Sequence, residues 1–137
     1  MKAAILFEDL SGERYTQERS HIVETSNTLE DHQVSIARAP VVPAVTTRWH
    51  RLVGITERYY ILSGNGQMEI DDSPAQTVHP GNVVRIPPAC RQRITNMGAD
   101  DLIFLAICSP RFTSAAYEDL EPAGMSKVNG WDSKQSV

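Results

Sequence analysis

Cysteine and histidine, the side chains most often recruited to hold metals, are scarce here: two and four in 137 residues. Cys90 and Cys108 form no Cys-x-x-Cys pair, which excludes a zinc cluster or a dithiol redox motif. Any metal site must therefore be small or completed by carboxylates. Long apolar runs are missing as well. After Lys2 the run Ala3 to Phe7 stops at Glu8-Asp9, too short for a secretion signal or for the roughly 20 residues of a membrane-spanning helix. The expectation is a cytoplasmic protein with reduced thiols, buried as small hydrophobes, and without a membrane partner. An excess of positive charge is absent too: 13 basic against 17 acidic residues give −4, which argues against a nucleic-acid surface.

What is present fits one ordinary globular domain. The length suits a single core without disulfide staples, and 41% hydrophobic with 22% charged residues excludes wholesale disorder. Charge is unevenly placed. Residues 1–32 carry −4, residues 33–112 carry +2 and residues 113–137 carry −2. The middle segment holds eight Arg and no Lys, the choice expected where a planar donor fork meets a carboxylate or lies half buried on a sheet.

That segment reads as short strands between Gly, Pro, Asn and Asp. Expected strands are His32 to Ala39, interrupted by Pro40 and Pro43, then Thr47 to Val53 and Glu57 to Ser63. The last leads through Gly64-Asn65-Gly66, a hairpin signal, into Gln67 to Asp71. Thr77 to His79, Val83 to Pro87, Arg91 to Asn96 and the apolar Leu102 to Cys108 follow. Short strands at this spacing suggest an antiparallel sandwich or barrel. The N-terminal extension (1–32) offers Ala3 to Phe7 and His21 to Glu24 as strands. A short helix is expected over 113–120 and a polar tail over 121–137.

Two stretches carry a recognisable spacing. In G-x5-H-x-H-x3-4-E-x6-G, the chain places Ala44, His50, Leu52, Glu57 and Gly64; in G-x5-P-x-G-x2-H-x3-N, it places Gly81, Pro87, Ala89, Gln92 and Asn96. These are the paired motifs of the cupin superfamily, which the chain resembles over about residues 33–110. The resemblance implies an all-β double-stranded β-helix, a jelly-roll-like barrel. It also implies that His50, Glu57 and Gln92 occupy ligand positions of a divalent metal, with Leu52 replacing a second histidine. A set poor in imidazole favours Mn or Fe over Zn; no nucleotide cofactor is expected.

Period two then turns Arg48, His50 and Leu52 inward together, likewise Glu57, Tyr59 and Ile61, and Gln92 with Ile94. Leu52, Ile61 and Ile94 would form an apolar wall, and Arg48 and Tyr59 would orient a small-molecule ligand. Three functions compete: a metal-assisted oxygenase or isomerase using His50, Glu57 and Gln92; a metal-free enzyme with His50 as acid or base tuned by Glu57; and a non-catalytic barrel for a small, anionic molecule. Without a metal, Glu57 is expected to bond His50 and Gln92, paired with Arg48. Cys90, flanked by Arg91 and Arg93, is a minor nucleophile candidate if those charges lower its pKa. Similar small cupins pair as homodimers, and Ala3 to Phe7 would suit strand exchange.

Overall fold

A computed structural model describes residues 1–16 and 18–121. Its strands are β1 (Arg14–Tyr15), β2 (His21–Ser26), β3 (Ser35–Val41), β4 (His50–Leu52), β5 (Thr56–Ser63), β6 (Gly66–Ile70), β7 (Gln76–Val78), β8 (Val83–Ile86), β9 (Gln92–Asn96), β10 (Leu102–Ser109) and β11 (Tyr117–Asp119). They form two antiparallel sheets, ordered β1-β2-β3-β10-β5-β8 and β11-β4-β9-β6-β7. This is the double-stranded β-helix that the motif spacing implied.

The apolar Leu102–Ser109 run lies in the middle of the larger sheet, where β10 pairs with β3 (Phe104 opposite Ala39) and with β5 (Ala106 opposite Tyr59). In the smaller sheet β4 meets β9 at His50 opposite Gln92, and β6 meets β9 with Met68 opposite Ile94. Inward residues of both sheets bury Val41, Ile61, Ile94, Leu102 and Phe104 in one core; Leu52, Ile55 and Cys108 form a second cluster. Each fully buried aliphatic side chain contributes about 1.5–3 kcal/mol.

Four features differ from expectation. The helix expected over 113–120 is a single 3-10 turn, Ser114–Ala116, followed by β11, whose pairing with β4 places Asp119 opposite His50. Eight residues hold too few helical bonds to compete with an open sheet edge. Ala3 to Phe7 joins neither sheet, and Ile5 and Phe7 are each 82% exposed. The strand expected from Thr47 begins only at His50, because Thr47 bonds Ile94 through its hydroxyl as well as its backbone. Pro40 lies within β3 rather than ending it; the ladder to β2 reaches only Val23 opposite Arg38, beyond which no donor is needed from it. All of the expected polar tail after residue 121 lies outside the described residues.

Motif glycine positions show what the backbone demands. Ala44 and Ala89 stand where the motif has glycine, and both keep the left-handed conformation, with φ of 67° and 65°. Gly64 has φ of 88°, and a Cβ there would lie 2.7 Å from the Asp101 carbonyl oxygen. Asn96 closes the second motif by donating from Nδ2 to the carbonyls of Val41 and Asp100, 2.8 Å each.

Candidate functional site

Alternation on β4, β5 and β9 buries His50, Leu52, Glu57, Tyr59, Ile61, Gln92 and Ile94, and Arg48, just ahead of β4, is buried with them. The structure nevertheless divides them. Glu57 and Tyr59 line a narrow cavity of about 40 Å³ under the inner face of the larger sheet; the other six do not. Leu52, Ile61 and Ile94 pack in the two cores.

Arg48, expected to orient a ligand, is fully buried but committed elsewhere. Its Nε and Nη2 donate to the Asp119 carboxylate at 3.2 and 3.1 Å, and Nη1 lies 3.3 Å from Glu121. The reason is β11, which the helix expectation had hidden: pairing it with β4 brings two carboxylates to the guanidinium. Glu121 also accepts from Arg19 and from the Trp49 backbone N–H, 3.0 Å each.

His50 sits between two acceptors. Nδ1 lies 2.7 Å from the Arg48 carbonyl oxygen and Nε2 lies 3.0 Å from Glu18 Oε1. A carbonyl oxygen can only accept, so Nδ1 carries a proton; a carboxylate calls for a second on Nε2. The ring is thus an imidazolium, stacked on Tyr117 with centroids 5.1 Å apart. Burial opposes this charge, but Glu18, by charge and hydrogen bond, and then Glu57 and the Arg48 carbonyl outweigh it, raising His50 to about 9.

Glu57 is the opposite case. It is 7% exposed, its Oε2 receives only the Cys108 thiol at 3.8 Å, and its Oε1 has no hydrogen-bond partner among the described residues. Burial, then repulsion from Glu18, raises it to about 7 against the pull of His50, the nearby Gln92 amide and Cys108. Gln92 comes close enough to favour the anion but makes no well-aligned bond to Oε1; its own Oε1 accepts the Tyr59 hydroxyl at 2.7 Å. Burial and the same carboxylates raise Tyr59 well above the usual phenol value. The network expected around Glu57 therefore re-pairs as His50 with Glu18 and Gln92 with Tyr59, leaving Glu57 nearly alone.

The donor set does not fit a metal as these side chains stand. An imidazolium has no ring lone pair to give, Leu52 contributes none, and the Gln92 carbonyl is turned to Tyr59. Among the described residues no three His, Cys, Asp or Glu side chains are placed to share a cation. As they stand, His50 is engaged by Glu18 and Gln92 by Tyr59, so neither of these expected ligands offers a lone pair to an ion shared with Glu57.

Cys90 departs from expectation as well. Burial, and then Asp71, raises its thiol rather than lowering it. The flanking arginines point elsewhere: Arg91 pairs with Asp72 at 2.9 Å, Arg93 with Glu69 at 2.9 and 3.2 Å, and both stack on Trp49.

Sequence reasoning missed Glu18, Cys108, Phe112 and Tyr117. Glu18 lies in the connection between β1 and β2, held by its carbonyl to the Arg48 N–H (3.3 Å) and by Arg19 to the Thr46 carbonyl (3.1 Å). No local pattern marks such a residue. Cys108 and Tyr117 reach the site by registers that only pairing decides, opposite Glu57 and Leu52 respectively.

No family model matches the chain. The uncharacterized protein MJ1618 of Methanocaldococcus jannaschii is 33% identical over 87 residues, 64% of this chain and 69% of that protein. A glucose-6-phosphate isomerase of Thermococcus gammatolerans is 31% identical over 84 residues; the chain spans only 44% of its length. Among solved structures, an uncharacterized Klebsiella pneumoniae protein with a double-stranded β-helix domain matches with a TM-score of 0.69 at 14% identity, over 88% of this chain and 100% of that one. KdgF from Halomonas sp. matches at 0.61 and 13%, over 68% and 80%. A Bacillus subtilis oxalate decarboxylase variant matches at 0.64 and 22%, over 74% and 28%. Motif spacing, sheet order and these likenesses agree on the fold: the chain is a double-stranded β-helix, the barrel of the cupin superfamily.

Proposed function

We propose that this cupin barrel binds a small organic ligand in its interior without a metal, and that Glu57 moves a proton on it. One observation carries this reading: a buried carboxylate faces the cavity with one oxygen unpartnered. A buried acceptor without a bond costs roughly 1–3 kcal/mol, more when charged, and a ligand O–H or N–H would remove that cost. A carboxyl group held near 7 is also matched to accept and return protons near neutral pH. His50, charged and clamped by Glu18, acts as a positioning group and electrostatic partner rather than as the base. The isomerase relative favours proton transfer over redox chemistry. A phosphate ester is a poor candidate, because no basic side chain lines the cavity among the described residues. A ligand and a second copy of this chain are the partners.

The test is a small-molecule screen by NMR, followed by incubation of each bound compound in D2O. Ligand shifts should centre on Ser35, Ala37 and Ala106, and solvent deuterium should replace a carbon-bound hydrogen of the ligand at least 100-fold more slowly with Glu57→Gln. Shifts mapping to the outer faces of the sheets would overturn the site. Wash-in unaffected by the substitution would overturn the role of Glu57.

A metal-assisted oxygenase or isomerase needs His50 to lose a proton and part from Glu18. Mn(II) or Fe(II) should therefore leave the thermal midpoint unchanged. A rise of more than about 5 °C at millimolar metal would restore that reading.

A further inference from the structure

Among the described residues, the charged side chains lining the cavity are Glu18, Glu24 and Glu57, all acidic. Two have cationic partners within the chain. Glu18 Oε1 meets His50 at 3.0 Å, and Glu24 lies 3.6 Å from the Arg14 guanidinium while accepting from Asn27 at 2.6 Å. Arg48, the buried arginine nearest in sequence, is spent on Asp119 and Glu121. Glu57 alone faces the cavity without a salt-bridge partner, and its Oε1 is unbonded among the described residues. Apart from Ser20, Ser35 and Cys108, the remaining wall is apolar and aromatic: Tyr59 stacks on Phe104 with centroids 4.1 Å apart, beside Phe112 and Tyr117. Aromatic faces attract cations and repel anions, more strongly once water is excluded. A lone carboxylate beside such rings is complementary to an ammonium group and hostile to a carboxylate or phosphate.

We infer that the ligand carries a positively charged amino group, seated against Glu57 Oε1 between Tyr59 and the neighbouring rings. This departs from the small anionic molecule that was one of three alternatives above; arginine forks of the middle segment are used within the chain, as in Arg48 with Asp119, Arg91 with Asp72 and Arg93 with Glu69. The inference rests on the proposed small-ligand site and adds the charge of the ligand. About 40 Å³ admits one slender head.

Three probes of similar shape separate the outcomes: n-propylammonium, propan-1-ol and propionate, titrated against the full chain at pH 8 with NMR detection. Propylammonium should bind at least tenfold more tightly than propan-1-ol, and propionate should not bind. Glu57→Gln should abolish the tenfold preference by weakening propylammonium. The wild-type comparison needs no variant, so a folding defect cannot obscure it. Equal or tighter binding of the alcohol or of propionate would overturn the charge assignment and leave the small-ligand site standing. Absence of binding by all three would overturn both.

Discussion

Glu57 and His50 carry folded values above their ordinary ones, so each adds stability at low pH that is lost as pH rises. For Glu57 the loss runs from 4.5 to about 7; for His50 it runs from 6.5 to about 9. Each window is worth on the order of a few kcal/mol. The thermal midpoint should therefore fall steadily from pH 5 to pH 9. Glu57→Gln removes the lower window without changing shape: measured against wild type by thermal melts, it should be several degrees more favourable at pH 8 than at pH 5. A pH-independent difference would show that Glu57 is not held protonated by burial. Arg48 tests the buried ion network. Arg48→Met takes the buried cation from Asp119 and Glu121, and denaturant unfolding should show a loss of about 3–5 kcal/mol.

At the level of elements, the turns matter more than the strands they join. Ala44 and Ala89 hold left-handed backbone that costs an alanine about 1–2 kcal/mol; glycine there would recover most of it and give back roughly 0.5–1 kcal/mol of chain entropy. Ala44→Gly and Ala89→Gly should each raise the thermal midpoint by about 2–3 °C. Gly64→Ala is the contrasting change: a Cβ meets backbone at 2.7 and 2.9 Å, so a loss of at least about 2 kcal/mol is expected. Gly81, with φ of 90° and open space around a Cβ, should lose only the 1–2 kcal/mol of backbone strain. The same scale explains the expected helix. Residues 114–119 contain good helix formers, but β4 had an unpaired edge and β11 filled it, carrying Asp119 to Arg48.

For the whole molecule, no described helix is long and apolar enough to cross a membrane. Ile5 and Phe7 are exposed in a segment that joins neither sheet, and we propose them as the surface through which a second copy pairs. Sedimentation should give a dimer for the full chain and a monomer after removal of residues 1–7; a monomeric full chain at micromolar concentration would reject the homodimer.

The sequence by itself determined the barrel. Strand alternation and motif spacing are local, so they placed His50, Glu57 and Gln92 inside and put Ala44 and Ala89 at glycine positions of the motif, where the fold keeps left-handed backbone. It could not determine who pairs with whom inside. That depended on Glu18, 32 residues before His50 in the chain, and on Asp119 and Glu121 beyond the last long strand. Burial makes every charge seek a partner, and which partners are within reach is a property of the folded packing alone. Tertiary structure thus turned a reduced metal-ligand set into a clamped imidazolium and one carboxylate left facing the cavity.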